Sequence, residues 1–329
     1  MKLTINEIAK MADVSKSTVS KALNGQKGVS DENRTRILNL VHKLNFQPNA
    51  SARALAQNRT DTIALVIPHD AGYSLSGAYW VEIITAIATT ASRYENNLMI
   101  ITTGIDKDIA KPIEAVIRRR NIDGLIIGAE QIDTKSLMSL MLEEIPFVFL
   151  GRNSVLQHYS VDVRNTEAAA KVTRLLIDRG YTRIGCIAGP KEYLYTQERV
   201  EGFRQVLQSA GLSTERIVYT LYSEDETRKN TSSLLEQYPD LDALFLAAGD
   251  DFMLNVLDVL RLKGIDQKNF GIGTFDDFRT MDYLHFPIIA AKQPLLKMGE
   301  KTAEILFSLI GNTPPPEMNH FFDVDIILR

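Results

Sequence analysis

The stretch Val14-Ser15-Lys16-Ser17-Thr18-Val19-Ser20-Lys21-Ala22-Leu23-Asn24 decides how this chain is read. Val19, Ala22 and Leu23 share one face of a helix over 16–23, so that face turns inward. Ser15 stands where a side-chain oxygen caps the helix, and Asn24-Gly25 ends it. Upstream, Thr4 and Glu7 have capping-box spacing and start a helix through Ile8, Ala9 and Ala12. Only a tight turn fits between the two, so the pair reads as a helix-turn-helix. Its second helix leaves Lys16, Ser17, Thr18, Ser20 and Lys21 for solvent or for the major groove of DNA. Lys16 and Ser17 lie at the end that reaches base edges. A third helix opens at Ser30-Asp31-Glu32 and buries Ile37, Leu40, Val41 and Leu44 along one stripe.

Working outward, the charge is uneven. Residues 1–59 hold ten Lys or Arg against four Asp or Glu, a net of +6. With 37 basic and 41 acidic residues in all, the rest holds 27 against 37, a net of −10. A basic head on an acidic body implies that the head alone approaches a polyanion, although a merely soluble basic domain has the same charge. After Pro48, the run Asn49-Ala50-Ser51-Ala52-Arg53-Ala54-Leu55-Ala56-Gln57 reads as a short helix capped by Asn49. A helix of that length is marginal alone, so it needs DNA or a partner helix to hold it.

From Thr62 the texture changes. Apolar runs at 63–67, 98–101, 124–127 and 147–150, then at 184–187, 243–246 and 270–273, alternate with helical patterns. Such alternation indicates parallel sheets covered on both faces, in two successive α/β sets. Two sets imply two lobes with a ligand cleft between the carboxyl ends of their strands.

The residues Thr4–Ala9, Val14–Asn24, Val29-Ser30, Asn45–Asn49 and Ala52–Leu55 together resemble the head of the LacI/GalR family of bacterial regulators. The body is similar to that family's sensor domain, itself like periplasmic sugar-binding proteins. The resemblance implies an α/β fold with an N-terminal helix-turn-helix and a two-lobed sensor. The implied domains are a head at 1–47, a hinge helix and linker at 48–60, and an effector-binding and dimerisation domain at 61–329. Its lobes would comprise about 61–160 with 293–320, and 161–292 with 321–329. Three crossovers are expected, near 161, at Lys292-Gln293-Pro294 and before a final strand over 322–328.

By the same resemblance Lys16, Ser17 and Lys21 read major-groove bases, and Leu55 wedges a central base step from the minor groove. Lys21 stands where relatives more often carry Arg, and a lysine lacks the fixed fork. The DNA-contacting set is therefore Thr4, Ser15, Lys16, Ser17, Thr18, Ser20, Lys21, Asn24, Asn49, Ala52, Arg53 and Leu55. For single residues, a solvated lysine or a core leucine is the structural alternative.

Effector positions are implied at Tyr79, Trp80, Arg152, Tyr193, Tyr195, Arg199, Asp250 and Asp276. Arg199 matches the family's ligand-binding arginine through its spacing to Gly202-Phe203, and a guanidinium fork suits paired hydroxyls or a carboxylate. Trp80 is equally a helix-face core residue, and Asp250 or Asp276 equally caps the following helix. Tyr193 and Tyr195 depart from purine-binding relatives, whose loop is more polar. Ring faces beside Arg199 and Asp276 suit a sugar. The implied function is a dimeric repressor of carbohydrate-utilisation genes, released from a near-palindromic operator by a small sugar. A purine-responsive or protein-co-repressed regulator of the same fold is the alternative.

Other signals are weak. Gly271-Ile272-Gly273 lacks the next glycine of a dinucleotide loop, so no cofactor is expected. The five histidines lack metal-ligand spacing, and no nucleophile–base arrangement is legible, so neither a metal nor an enzyme is expected. The N-terminus shows no secretory signal, no run is apolar enough for a bilayer, and the single Cys186 forms no intrachain disulfide. A cytoplasmic protein is expected.

Overall fold

A computed structural model describes residues 3–23, 25–44, 46, 59–67, 77–102, 110–128, 132 and 134–329, except the side chains at 250, 251 and 280. Packing divides the chain into two units, 1–61 and 62–329.

The first unit holds α1 (Ile5–Met11), α2 (Lys16–Leu23) and α3 (Asp31–Lys43). Glu7 turns back to accept the Thr4 backbone N–H at 2.6 Å, which closes the start of α1. Ser15 Oγ accepts the Thr18 N–H at 3.1 Å and so caps α2. Between the two helices Asp13 takes a left-handed φ of 49°, which lets the chain reverse in so few residues. Ile8, Ala12, Val19, Ala22 and Ile37 form the small core, with Leu23, Leu40, Val41 and Leu44 packed around it. Arg34 donates to the Ala22 and Gln26 carbonyls at 3.2 and 2.6 Å, so α3 fastens the end of α2.

The second unit contains two six-stranded sheets. In the first the order is β11-β5-β4-β3-β1-β2, with β1 Thr62–Ile67, β2 Asn97–Thr102, β3 Gly124–Ile127, β4 Phe147–Leu150, β5 Ser160–Val163 and β11 Asn319–Phe322. Its covering helices are α4 (Ala78–Arg93), α5 (Ala110–Arg119), α6 (Thr134–Leu142) and α11 (Leu295–Ile310). The second sheet has the order β12-β10-β9-β8-β6-β7, with β6 Ile184–Ala188, β7 Ile217–Tyr219, β8 Ala243–Leu246, β9 Gly271–Phe275, β10 Ile288–Lys292 and β12 Asp325–Leu328. Around it lie α7 (Asn165–Asp178), α8 (Leu194–Ser209), α9 (Glu224–Gln237) and α10 (Asp250–Leu262). Among the described pairs only β10 with β12 is antiparallel. The central strands are buried at every residue, as strands covered on both faces must be.

The chain passes between lobes at three places. One is Arg164, between β5 and α7; the second lies between Lys292 of β10 and Leu295 of α11; the third is Asp323-Val324. The expected single strand over 322–328 is corrected here. Its first residue, Phe322, ends β11, which pairs in parallel with β5 in the first sheet, whereas Asp325–Leu328 run antiparallel to β10 in the second. The crossover expected before this strand is present but falls inside the run, at Asp323-Val324, because both halves suit an extended backbone. The first crossover likewise falls at Arg164 rather than near 161, since Ser160–Val163 is itself a strand of the first sheet.

Candidate functional site

In the head, Lys16, Ser17 and Lys21 are exposed on α2, while Thr18 and Ser20 are partly covered. Neither lysine has an ion-pair partner among the described residues. Ser15 Oγ lies 2.7 Å from Ser17 Oγ and 2.8 Å from Thr18 Oγ1, so these hydroxyls form one cluster over the first turn. Thr4 caps α1. Asn24, Asn49, Ala52, Arg53 and Leu55, with the expected hinge helix, lie outside the described residues.

In the body the carboxyl ends of the strands carry the polar groups. Arg199, on α8, is 7% exposed and is held by two bonds. Its Nε donates to Asn165 Oδ1 at 2.8 Å and its Nη1 to the Ala247 carbonyl at 2.8 Å. The guanidinium lies over the Phe275 ring at 3.6 Å and over Tyr195 at 4.8 Å. Its Nη2 has no hydrogen-bond partner among the described residues. Gly202 makes this placement possible: a Cβ there would stand 2.1 Å from the Thr166 carbonyl oxygen, so α8 can lie directly on α7.

Asp276 follows β9 with a left-handed φ of 66° and is 5% exposed. Gln293, from the second crossover, donates to its Oδ1 at 2.7 Å. Its Oδ2 lies where a Cβ on Gly249 would be only 2.7 Å away. A non-glycine residue kept in this conformation by its surroundings marks a constrained site. Asp277, the next residue, points elsewhere and pairs with Arg329 and, at 3.6 Å, with Lys292. Asp250 is the first residue of α10, and its side chain lies outside the described set.

Tyr79 comes from the first lobe, in the first turn of α4. Burial, then the Asp276 carboxylate, raises its phenol well above the ordinary value, so it stays a neutral O–H donor. Arg199 and Tyr222 of the second lobe and Asp162 of the first act on the same phenol. Trp80 stands edge-on behind Tyr79, with ring centroids 5.2 Å apart. It is core: a Cβ on Gly128 would come within 2.5 Å of its ring. Tyr193 immediately precedes α8, with its ring 5.7 Å from that of Tyr195. Tyr195 and Tyr222 are hydrogen-bonded through their hydroxyls.

Arg152 follows β4 in the first lobe. Its Nε donates to Asp162 Oδ2 at 3.0 Å, and its Nη2 to Glu198 of α8 in the second lobe. Expected as an effector contact, it is committed to two carboxylates. Sequence reading passed over Asp162, Asn165, Glu198, Tyr222, Phe275 and Gln293. Of these only Gln293, beside a proline at an expected crossover, left a local signal. Among the described residues no cluster of three or more His, Cys, Asp or Glu is arranged for a metal, and no helix is long and apolar enough to cross a membrane.

This arrangement has known counterparts. Residues 60–315 match the family described as periplasmic binding proteins and sugar binding domain of LacI family, and residues 4–49 match bacterial regulatory proteins, lacI family. The HTH-type transcriptional regulator CelR of Thermobifida fusca is 28% identical over 324 residues, covering 95% of this chain and 94% of its own. A solved CelR–cellobiose complex superposes with a TM-score of 0.76 at 25% identity, over 99% of this chain and 98% of that one. The lac repressor dimer bound to operator and the anti-inducer ONPF shares the fold with a TM-score of 0.84 at 18% identity, over 99% and 98% of the two chains. A helix-turn-helix head, two α/β lobes joined by three crossovers and matches from residue 4 to residue 315 lead to one assignment: the chain belongs to the LacI family of bacterial regulatory proteins.

Proposed function

We propose that this DNA-binding transcriptional regulator is a repressor that leaves its operator when a small sugar binds between the lobes. The observation that carries the reading is that Arg199 and Asp276 both act on the Tyr79 phenol and stand among aromatic rings. The arginine offers N–H donors fixed by Asn165 and Ala247, the aspartate a carboxylate fixed by Gln293, and Tyr79, Tyr195, Tyr222 and Phe275 supply ring faces. Sugar C–H faces pack on rings while hydroxyls need fixed partners, and buried polar sites discriminate strongly against ligands lacking those hydroxyls. A relative solved with cellobiose supports a saccharide in particular.

The chain acts on DNA as a homodimer. One helical head reads one half-site, so a near-palindromic operator requires two, and a related repressor is seen as a dimer on its operator. Contacts to bases fall to Lys16, Ser17 and Lys21. Ligand closure of the lobes acts on operator affinity by favouring one of two arrangements.

The test is fluorescence anisotropy of full-length protein on an operator selected from random duplexes, titrated with monosaccharides, disaccharides, sugar phosphates and nucleosides. Release by one saccharide, lost in Arg199→Ala while operator affinity is retained, supports the reading. Release by a nucleoside alone, or by nothing in the panel, overturns it.

A further inference from the structure

We propose that Arg152, set between Asp162 of the first lobe and Glu198 of the second, is the clasp that fixes the resting separation of the two lobes. This goes beyond the effector reading and does not depend on it. Two carboxylates from different lobes converge on one guanidinium. Asp162, at the end of β5, has a 9% exposed side chain, and its Oδ2 accepts from Arg152 Nε at 3.0 Å. Glu198 is one residue before Arg199 on α8 and accepts from Arg152 Nη2; the pair is 24% and 21% exposed, so water screens it only in part. Asn165 bridges the same carboxylates, donating to Asp162 Oδ1 at 3.2 Å and to Glu198 Oε2 at 3.4 Å. The Phe321 ring, on β11 two residues before the third crossover, lies under the guanidinium at 5.0 Å. The clasp therefore sits beside two of the three crossovers, where a small change in contact becomes a large change in lobe angle.

Charge decides the sign. With Arg152 present, Asp162 and Glu198 are both attracted to a shared cation. Without it they repel one another across the lobe boundary wherever the pH is high enough to keep Asp162 ionised, since burial raises that carboxyl, and Asn165 can satisfy only part of their demand. Removing the arginine therefore does more than removing the glutamate, and removing both relieves the repulsion. Asp162, fastened also to the Val163 N–H at 2.8 Å, stays with the first lobe in every case.

The experiment measures the distance between spin labels in the full, ligand-free chain at alkaline pH, where Asp162 is ionised. Labels go on Met138→Cys of α6 and Leu262→Cys of α10, both exposed. Cys186 is buried and remains unlabelled. Arg152→Met should lengthen and broaden the interlobe distance, and Glu198→Met should do so less. The double variant Arg152→Met/Glu198→Met should return towards the Glu198→Met distribution, a reversal that mere loss of packing does not produce. If Arg152→Met fails to fold by circular dichroism, Glu198→Gln removes one charge at constant shape and should still broaden the distribution. A distance unchanged in these variants, or a double variant wider than Arg152→Met, overturns the clasp. Because no effector enters the measurement, failure of the sugar reading would leave this result standing.

Discussion

Gly202 of α8 meets Thr166 of α7 so closely that a Cβ on the glycine would lie 2.1 Å from the threonine carbonyl oxygen. No flexible side chain is there to give way, so Gly202→Ala must push the two helices apart. Such overpacking costs about 1–3 kcal/mol. The displacement also falls on the Arg199–Asn165 bond, one helical turn away. Urea unfolding should show a lower midpoint with an unchanged slope, and the effector response should weaken by more than the loss of stability explains. An unchanged midpoint would mean that the helix pair accommodates the methyl group.

Arg199→Lys tests whether shape or charge matters at the cleft. The lysine keeps the positive charge but cannot hold Asn165 and Ala247 while presenting a further N–H to ligand. Hydrogen bonds to charged groups are worth about 1.5–3 kcal/mol, so effector affinity should fall by at least about tenfold. Calorimetry with the releasing ligand reads this directly. Equal affinity in the variant would assign Arg199 a purely electrostatic part.

Glu7 links the head to pH. Its carboxylate accepts the Thr4 backbone N–H and then the Thr4 hydroxyl, and both hold it below the usual value of 4.5. A carboxyl depressed in the folded state contributes stability above its unfolded-state value and loses it as pH falls through the folded one. Acid below about pH 4 should therefore loosen α1, and Glu7→Gln should flatten that part of the transition. Helical circular dichroism from pH 6 down to pH 3 compares the two. Identical acid profiles would show the capping box to be irrelevant to the head's pH response.

How far the sequence revealed this site depended on the range of each interaction. Capping boxes, the turn after Met11 and the buried strands are local patterns, so Ser15, Lys16 and the β3 or β8 residues were legible from their neighbours. Arg199 and Asp276 were found by resemblance, through motifs around Gly202-Phe203 and after β9. What completes them was not legible, because Asn165, Glu198 and Gln293 are joined to the site by contacts across 34, 46 and 17 positions of chain. Nothing adjacent to Asn165 distinguishes it from an ordinary first residue of a helix. Arg152 is the converse case, placed by resemblance but with partners that were not foreseen. It stood in the position expected of a cleft residue, yet two carboxylates of this chain occupy its fork. The position of the last crossover, at Asp323 rather than before Phe322, was not legible for a similar reason, since an extended segment can pair with either sheet without changing its composition.

Lys16 offers the sharpest test of the head. It is exposed at the N-terminal end of α2 and has no partner among the described residues, so a substitution there should leave the fold of the head untouched. A lysine donating to guanine O6 and N7 discriminates by about 1–3 kcal/mol. Lys16→Ala should thus weaken the selected operator by roughly 5- to 150-fold while non-specific DNA changes little. Loss of a phosphate contact looks different: affinity falls uniformly across sequences and the logarithmic salt slope drops by about one. Anisotropy on the operator, on a variant with its guanines replaced, and across a salt series separates the two outcomes. Uniform weakening with a shallower slope would move Lys16 from reading bases to positioning the helix on the backbone, and would leave Ser17 and Lys21 as the readers of sequence.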